Sequence, residues 1–496
     1  MYSLGVLALA SFVLALLLTP LCRRLFQRWG VVDQPDGGRH LHAQPTPRCG
    51  GVPILAAYLG AFAVWLAFPL SAGGMAAAGL PLAWRLAPAV ALIFAVGLMD
   101  DLRGLKPWQK FAGQGLAAFL AYWAAGVQVT GMASLTLPLW LSLPITLLWL
   151  VGCSNAFNLI DGIDGLAAGA GLFATLTILA GALLHHNLAL ALLTVPLAGA
   201  LLGFLRYNFN PASIFLGDSG SLTIGFLLGC YGVVWSQKSA TVLGMTAPMM
   251  AVAVPLLDTG VAIARRFLRQ QPIFSADAAH IHHRLLARGL TPRKAALLLY
   301  GACGVAAVMS LMASVAHDQF KGAILVLFCA AAWAGVQRLE YAEFGVVGRM
   351  LQEGAFRRHL NSALALRALE DRLGEAKTAE ECWSAVREAC RKFGFTRAEL
   401  RVNGHHFEEI FDDTNGDPTW GLDIPLPHQG HLHLRRCFGE SKVPTVLVPF
   451  AETLRENLYR NGHLQPVVSA AGEDNDLREL LQAEAEARRE ASGPAA

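Results

Sequence analysis

Runs of apolar residues about as long as a bilayer is thick recur along the first 338 residues of this 496-residue chain. A helix needs roughly 17–25 such residues to cross the hydrocarbon layer. Eleven segments come close to or reach that length: 2–20, 50–71, 84–99, 111–126, 136–153, 166–184, 188–205, 221–236, 244–264, 296–315 and 322–337. Lipid offers no hydrogen bonds to a bare backbone, so the runs predict an all-α polytopic membrane protein with about eleven transmembrane helices. The first run has no basic segment before it and no small-residue cleavage site, and Arg23, Arg24 and Arg28 follow it. It reads as a retained anchor.

Charge fixes the sides. With the N-terminus outside, the connections on the inner face carry 17 Lys and Arg, and those on the outer face carry three, Arg85, Lys238 and Lys321. Such asymmetry is the positive-inside pattern, and it puts the C-terminus in the cytoplasm. The chain therefore reads as a multi-pass membrane protein. No Glu occurs before Glu340, and the ten acids there are all Asp. Asp33, Asp36, Asp100, Asp101, Asp161, Asp164, Asp218 and Asp277 fall at inner helix ends or loops, Asp258 lies inside the ninth span, and Asp318 is external. Five connections thus send polar residues to one membrane face, as a site for an anionic, metal-bound substrate requires. Nine scattered Cys without a CxxC pair give neither a disulfide framework nor a thiolate metal site.

The first inner loop, Asp33 to Gly51, holds Arg39, His40, His42 and Arg48 among Pro and Gly. Guanidinium forks suit phosphate oxygens. The second holds Asp100-Asp101 and, nine residues on, Lys110. Adjacent helical side chains point about 100° apart, so the two carboxylates should have different tasks. The densest stretch is Asn155-Ala-Phe-Asn158-Leu-Ile-Asp161-Gly162-Ile-Asp164-Gly165. Its Asn and Asp pairs are each three apart and would share faces on a helical turn. Carboxylate and amide oxygens are hard ligands suited to Mg²⁺. Asp218, in Gly217-Asp218-Ser219-Gly220-Ser221, starts the eighth span, where free N–H groups favour a pyrophosphate. Last comes His280-Ile-His282-His283-Arg284; a helix there would put His280 and His283 on one face and His282 elsewhere. Without Cys or Glu partners, zinc is the weaker reading and phosphate or sugar contacts the stronger.

Together and in this order, the five motifs resemble the polyprenyl-phosphate N-acetylhexosamine-1-phosphate transferase superfamily, over residues 1–338. The Pro45-Thr-Pro47-Arg48-Cys-Gly50-Gly51 and His280-Ile-His282-His283-Arg284 forms are similar to the branch that transfers GlcNAc-1-phosphate from UDP-GlcNAc to undecaprenyl phosphate. That reaction initiates cell-surface polysaccharide or teichoic-acid synthesis. The alternative is the phospho-MurNAc-pentapeptide transferase branch. A membrane transporter is the rival of another class, but it predicts several mid-span charges and internal repeats.

The resemblance implies a bacterial inner membrane, Mg²⁺, with Mn²⁺ as a substitute, and a cytoplasmic site. It implies a UDP-N-acetylhexosamine, undecaprenyl phosphate and the lipid bilayer as partners, allows for a homodimer, and gives no role to nucleic acid. Asp100, Asp101, Asp161 and Asp164 are the expected catalytic carboxylates. Asp218 is the expected principal metal ligand, with Asp101 or Asp161 beside it. Arg39, Arg48, Lys110, Asn155, Asn158, His280, His282, His283 and Arg284 are the expected substrate contacts. Asp100 would deprotonate or orient the lipid phosphate, and Asp164 with the first loop would hold the nucleotide-sugar.

From Glu340 onward the charge reverses, to 26 acids against 19 Lys and Arg. Residues 339–465 read as a cytoplasmic α/β module that weakly resembles a GAF-like sensor, and 466–496 as a charged tail. Helix is expected over most of 349–393 and at 450–461, with strands at 396–403, 420–425, 430–437 and 443–449. His405, His406, His431 and His433 read as exposed strand and turn residues.

Overall fold

The computed structural model describes residues 2–33, 45–67, 73–132, 135–237, 244–268, 271, 280–339, 341, 355–402, 404–412, 418–426, 430–437 and 447–460. Asp36, Arg39, His40, His42 and Asp277, named above, lie outside the described residues. The chain divides into two compact units, Met1–Phe344 and Gly345–Ala496.

The first unit is helical: α1 (Tyr2–Arg28), α2 (Gly51–Ala67), α3 (Gly73–Arg103), α4 (Pro107–Ala125), α5 (Leu139–Ile160), α6 (Leu166–Leu184), α7 (Leu188–Asn208), α8 (Gly217–Gln237), α9 (Thr246–Ala251), α10 (Ala253–Leu268), α11 (Ile281–Ala287), α12 (Pro292–Val315) and α13 (Asp318–Arg338). Among the described residues eight helices are long and apolar enough to cross a membrane: α1, α3 from Gly79, α5, α6, α7, α8, α12, and α13 from Gln319. The chain is a multi-pass membrane protein. Each of the eleven apolar runs coincides with helix, but α2 has only 17 residues and the ninth run is broken. It divides at Val252 into α9 and α10. Pro255 supplies no N–H to the Ala251 carbonyl, and its ring crowds that group, which favours a break there.

Burial orders the bundle. The apolar window of α8 is 89% buried, whereas that of α13 is 11% buried. Yet α8 is among the less hydrophobic spans, rich in Gly and Ser. A helix encased by other helices needs small residues for close approach, while a lipid-facing helix needs apolarity alone. Gly51 and Gly97 bring α2 and α3 onto the first turn of α8; a Cβ at either would lie within 2.5 Å of that turn's backbone. This close approach at one end of α8 sets up the site described below.

The second unit holds α14 (Ala355–Glu375), α15 (Ala379–Lys392), a four-stranded sheet and α16 (Leu447–Arg460). The strands β1 (Arg397–Val402), β2 (His405–Ile410), β3 (Thr419–Leu426) and β4 (Gly430–Cys437) pair antiparallel in the order β2-β1-β4-β3. Alternation puts Ala398, Leu400, Leu432 and Leu434 into a core with Val386, Cys390, Phe450 and Leu454. The opposite face carries charges and histidines, including the His406–Glu399 and His433–Asp423 pairs. Strand β2 was not expected from the sequence, because His405-His406-Phe407-Glu408-Glu409 lacks strong apolar alternation. Residues 447–449, expected in a strand, open α16 instead, and 438–446 lie outside the described residues.

Candidate active site

The first turn of α8 is where the ends of several helices meet. The segment before it is stitched to the end of the first loop: Phe215 N–H donates to the Pro47 carbonyl at 2.8 Å, and Gly50 N–H donates back to the Phe215 carbonyl at 3.0 Å. Gly217 then turns the chain with φ +69°, a conformation that disfavours a side chain, and a Cβ there would lie 1.7 Å from the Arg48 carbonyl oxygen.

A helix start leaves backbone N–H groups without partners. Here a carboxylate from another element takes two of them. Asp161 lies just past the end of α5. Asp101, near the end of α3, accepts from Asp218 N–H at 2.8 Å and from Ser219 N–H at 2.9 Å. The pyrophosphate expected at this helix start therefore meets donors already engaged by the protein's own Asp101 side chain.

Asp218 is held from both sides. Its Oδ1 accepts from Asn158 Nδ2 at 2.8 Å, and its Oδ2 forms an ion pair with Lys110 of α4. Asn158 also donates to Ser221 Oγ at 3.1 Å. Lys110 Nζ lies 3.4 Å from Asp100 Oδ2, while Asp100 Oδ1 accepts from Leu105 N–H at 2.8 Å and so closes the turn between α3 and α4. Asp100 and Asp101 thus do have separate tasks: one faces the lysine, the other caps α8.

The remaining expected residues divide. Asp164 Oδ2 accepts from Asn210 Nδ2 and Ala212 N–H, both at 2.9 Å, and clamps the loop between α7 and α8. Asp161 and Asp164 follow the end of α5 in a turn, so they do not share a helical face. Asn155 pairs reciprocally with Gln114 of α4, its Nδ2 lying 2.5 Å from the glutamine oxygen, which ties α4 to α5. Arg48 pairs with Asp33 at 3.2 Å.

The histidine motif is seated against the same turn. His280 caps α11 rather than sharing a helical face with His283. Its ring lies parallel to that of His282, with centroids 5.8 Å apart, and the His282 and His283 rings lie 4.2 Å apart, tilted by 43°. His282 is 1% exposed and packs on Gly162, where a Cβ would lie 2.1 Å from its Nε2. Neither ring nitrogen of His282 has a hydrogen-bond partner among the described residues. Burial, and then the neighbouring His283, pushes its pKa down to about 3, so the ring is neutral. Arg284 lies over the Tyr341 ring at 4.3 Å and donates to the Leu339 carbonyl.

Sequence reasoning missed Gln114 and Tyr300. A polar residue inside the 111–126 run was the available signal for Gln114. Tyr300 donates to the Gly165 carbonyl at 2.6 Å from α12, and nothing local in its apolar helix marked it.

The donor chemistry bears on a metal. Asp100, Asp101, Asp161, Asp164 and Asp218 gather here with Lys110 and Arg48, an excess of negative charge over positive. Burial and then the charge of Asp101 push the Asp161 carboxyl up to about 7, which marks a carboxylate short of positive partners. Hard oxygen donors with unbalanced charge fit Mg²⁺, which takes one or two carboxylates and otherwise keeps water and substrate phosphate. Among the described residues no three His, Cys, Asp or Glu side chains form a group that could hold a metal ion.

Comparison with known proteins agrees with this geometry. Residues 83–236, from α3 through most of α8, match the model of glycosyl transferase family 4. The chain is 36% identical over 299 residues to a probable undecaprenyl-phosphate N-acetylglucosaminyl 1-phosphate transferase of Bacillus subtilis, covering 59% of this chain and 80% of that protein. This protein belongs to glycosyl transferase family 4. A decaprenyl-phosphate N-acetylglucosaminephosphotransferase of Mycolicibacterium smegmatis is 38% identical over 333 residues, 61% of this chain and 80% of the relative. A phospho-N-acetylmuramoyl-pentapeptide-transferase of Lactiplantibacillus plantarum is 30% identical over 326 residues, 62% and 97% of the two chains. The family match ends at residue 236, so α11 and its histidines lie beyond it.

Proposed function

We propose that this membrane enzyme transfers GlcNAc-1-phosphate from UDP-GlcNAc to undecaprenyl phosphate, giving undecaprenyl-diphosphate-GlcNAc and UMP. One observation carries the reading: Asp100, Lys110, Asn158 and Asp218, from four helices, converge at one end of the bundle within a chain similar to the GlcNAc-phosphate transferases. In the reaction an oxygen of the lipid phosphate attacks the β-phosphorus of UDP-GlcNAc. A new P–O bond forms, the bond from that phosphorus to the bridging oxygen breaks, and UMP leaves with the electron pair. A phosphate monoester with a second pKa near 6 is already largely dianionic at neutral pH, so repulsion between anions is the main obstacle.

Lys110 supplies positive charge where the attacking phosphate must come, and Asp100 orients both Lys110 and the approaching lipid headgroup. Asp101 fixes the backbone beneath Asp218, and Asn158 fixes its side chain. Asp164 holds the loop before α8 in place. His280 and His283, with Arg48, face the nucleotide-sugar, while buried His282 packs behind them on Gly162 and, against the expectation, is not itself a substrate contact; Arg39 belongs to the same loop by sequence. Asp218 and Asp161 are the residues that would hold Mg²⁺, which when bound neutralises phosphate charge and stabilises the leaving nucleotide. The full reading has α2, α4 and the broken α9–α10 crossing with the other eight helices, eleven spans in all, with the N-terminus outside. It puts the site and the C-terminal unit on the cytoplasmic side of the inner membrane. An antiparallel sheet with its helices on one face supports a GAF-like sensor role for that second unit.

The test is a pair of assays on purified protein with undecaprenyl phosphate and Mg²⁺, one with UDP-GlcNAc and one with UDP-MurNAc-pentapeptide. UMP release with UDP-GlcNAc supports the reading. Release with UDP-MurNAc-pentapeptide alone overturns it in favour of the other branch.

A further inference from the structure

Asp258 is a carboxylate in the apolar helix α10, 1% exposed. A charge there is costly unless it is compensated. Both its oxygens are spent on the histidine motif. Oδ1 accepts from Ile281 N–H, the first residue of α11, at 2.7 Å, and Oδ2 lies 2.9 Å from His280 Nδ1. His280 is itself 5% exposed, so water competes little for either bond.

We infer that Asp258 is the positioning residue of the histidine motif, setting both the start of α11 and the proton position on His280. The inference rests on the proposed function for its consequence in turnover. A backbone N–H can only donate, and an ionised carboxylate can only accept. Nδ1 of His280 therefore carries a proton whether the ring is neutral or charged, and Nε2 is the nitrogen left for the nucleotide-sugar. An anchor alone needs no charge, since a neutral amide or hydroxyl would satisfy Ile281 N–H. Holding the ring in one tautomer is what the acceptor-only carboxylate adds. The His282 ring lies parallel to that of His280, and its edge rests on Gly162 beside Asp161.

The substitution Asp258→Asn separates the two tasks. Asn keeps the size and can still accept from Ile281 N–H through Oδ1. Its Nδ2 then faces Nδ1 as a donor, which moves the proton of a neutral ring to Nε2. The same inversion in a hydrolase triad costs about 10⁴-fold in kcat with the geometry intact; a loss of about 100-fold or more is expected here. The full-length protein in nanodiscs is compared as wild type, D258N, H280A and D258N/H280A, by kcat, KM for UDP-GlcNAc and thermal midpoint. The inference predicts a D258N loss at an unchanged midpoint, and a double variant no slower than H280A. Additive losses, or wild-type kinetics in D258N, would overturn it.

A second readout needs no turnover. In ¹⁵N-histidine spectra at about pH 8.5, above the usual imidazole range, the His280 signal is identified by its disappearance in H280A. Protonation at Nδ1 in the wild type, moving to Nε2 in D258N, supports the inference. A wild-type ring protonated at Nε2 alone overturns it, even if no UDP-sugar is turned over and the proposed function has failed.

Discussion

Asp101 and Asp218 are joined through the backbone. The carboxylate of the first, on α3, accepts from the N–H groups of the second and of Ser219, at 2.8 and 2.9 Å, so that one aspartate fixes the place from which the other presents its side chain. Hydrogen bonds to a charged acceptor are worth about 1.5–3 kcal/mol. Asp101→Ala should therefore destabilise the start of α8 by about that much and cut turnover at least about tenfold, with a higher Mg²⁺ requirement. Asp101→Asn, with one acceptor oxygen in place of two, should fall between. Mg²⁺ titrations of turnover, with hydrogen exchange at residues 217–221, measure both effects. Wild-type exchange there in the Ala variant would refute the capping role.

Asp218→Asn should abolish Mg²⁺-dependent turnover while the protein stays folded in the membrane. Asn retains a contact to Asn158 but loses the charge that pairs with Lys110 and would draw the ion. Calorimetric Mg²⁺ binding by wild type and variant checks this directly, without substrate.

Lys110→Met should lower kcat by about 100-fold, the typical cost of losing one electrostatic group at a developing charge. The KM for the nucleotide-sugar should change little, because Lys110 faces Asp100 and Asp218 and not the histidine helix. Steady-state kinetics in both substrates separate these terms.

His282 gives a pH dependence of definite sign. Its pKa is about 3 when α11 is seated and near 6.5 when the ring is released to water. Only the released ring takes up a proton between these values, so seating weakens as pH falls from about 6.5 towards 3 and is independent of pH above that window. Hydrogen exchange of residues 281–287, corrected for intrinsic rates, should rise from pH 7.5 to pH 5. His282→Gln should remove the rise, because Gln does not titrate there.

Truncation is sensitive to where the chain is cut. Tyr341 is buried, with Arg284 and Arg265 over its ring at 4.3 and 5.5 Å, and Arg284 donates to the Leu339 carbonyl. The charge pattern suggests Arg338 as the end of the membrane domain, but the compact unit runs to Phe344. A chain ending at Phe344 should keep basal turnover. One ending at Arg338 should lose several-fold, through the helix that carries the histidines. UMP release by the two truncations tests the difference.

Hydropathy and charge made most of the helices and the clustering of Asp at one membrane face readable, because lipid punishes any other arrangement. That Asp100 and Asp101 point to different partners was readable too, from the angle between neighbouring helical side chains. The partners were not readable. That Asp101 caps a helix more than a hundred residues away, that Asn155 pairs with Gln114, and that Asp164 clamps the loop at Asn210 all depend on which helices pack together. Helical spacing also misled where helix stops: Asp161 and Asp164 sit in a turn, and His280 precedes α11. Asp258 was visible only as a misplaced charge, since its partner lies in a later loop.

The most direct test of the account is the fate of the β-phosphorus of UDP-GlcNAc. The purified protein is given undecaprenyl phosphate, Mg²⁺ and UDP-GlcNAc labelled with ³²P at the β position, and the lipid and aqueous fractions are separated. Transfer of the phospho-sugar predicts the label in the lipid, with unlabelled UMP in water. A labelled aqueous UDP beside an unlabelled glycolipid would mean that the sugar moves without its phosphate, and would contradict the account.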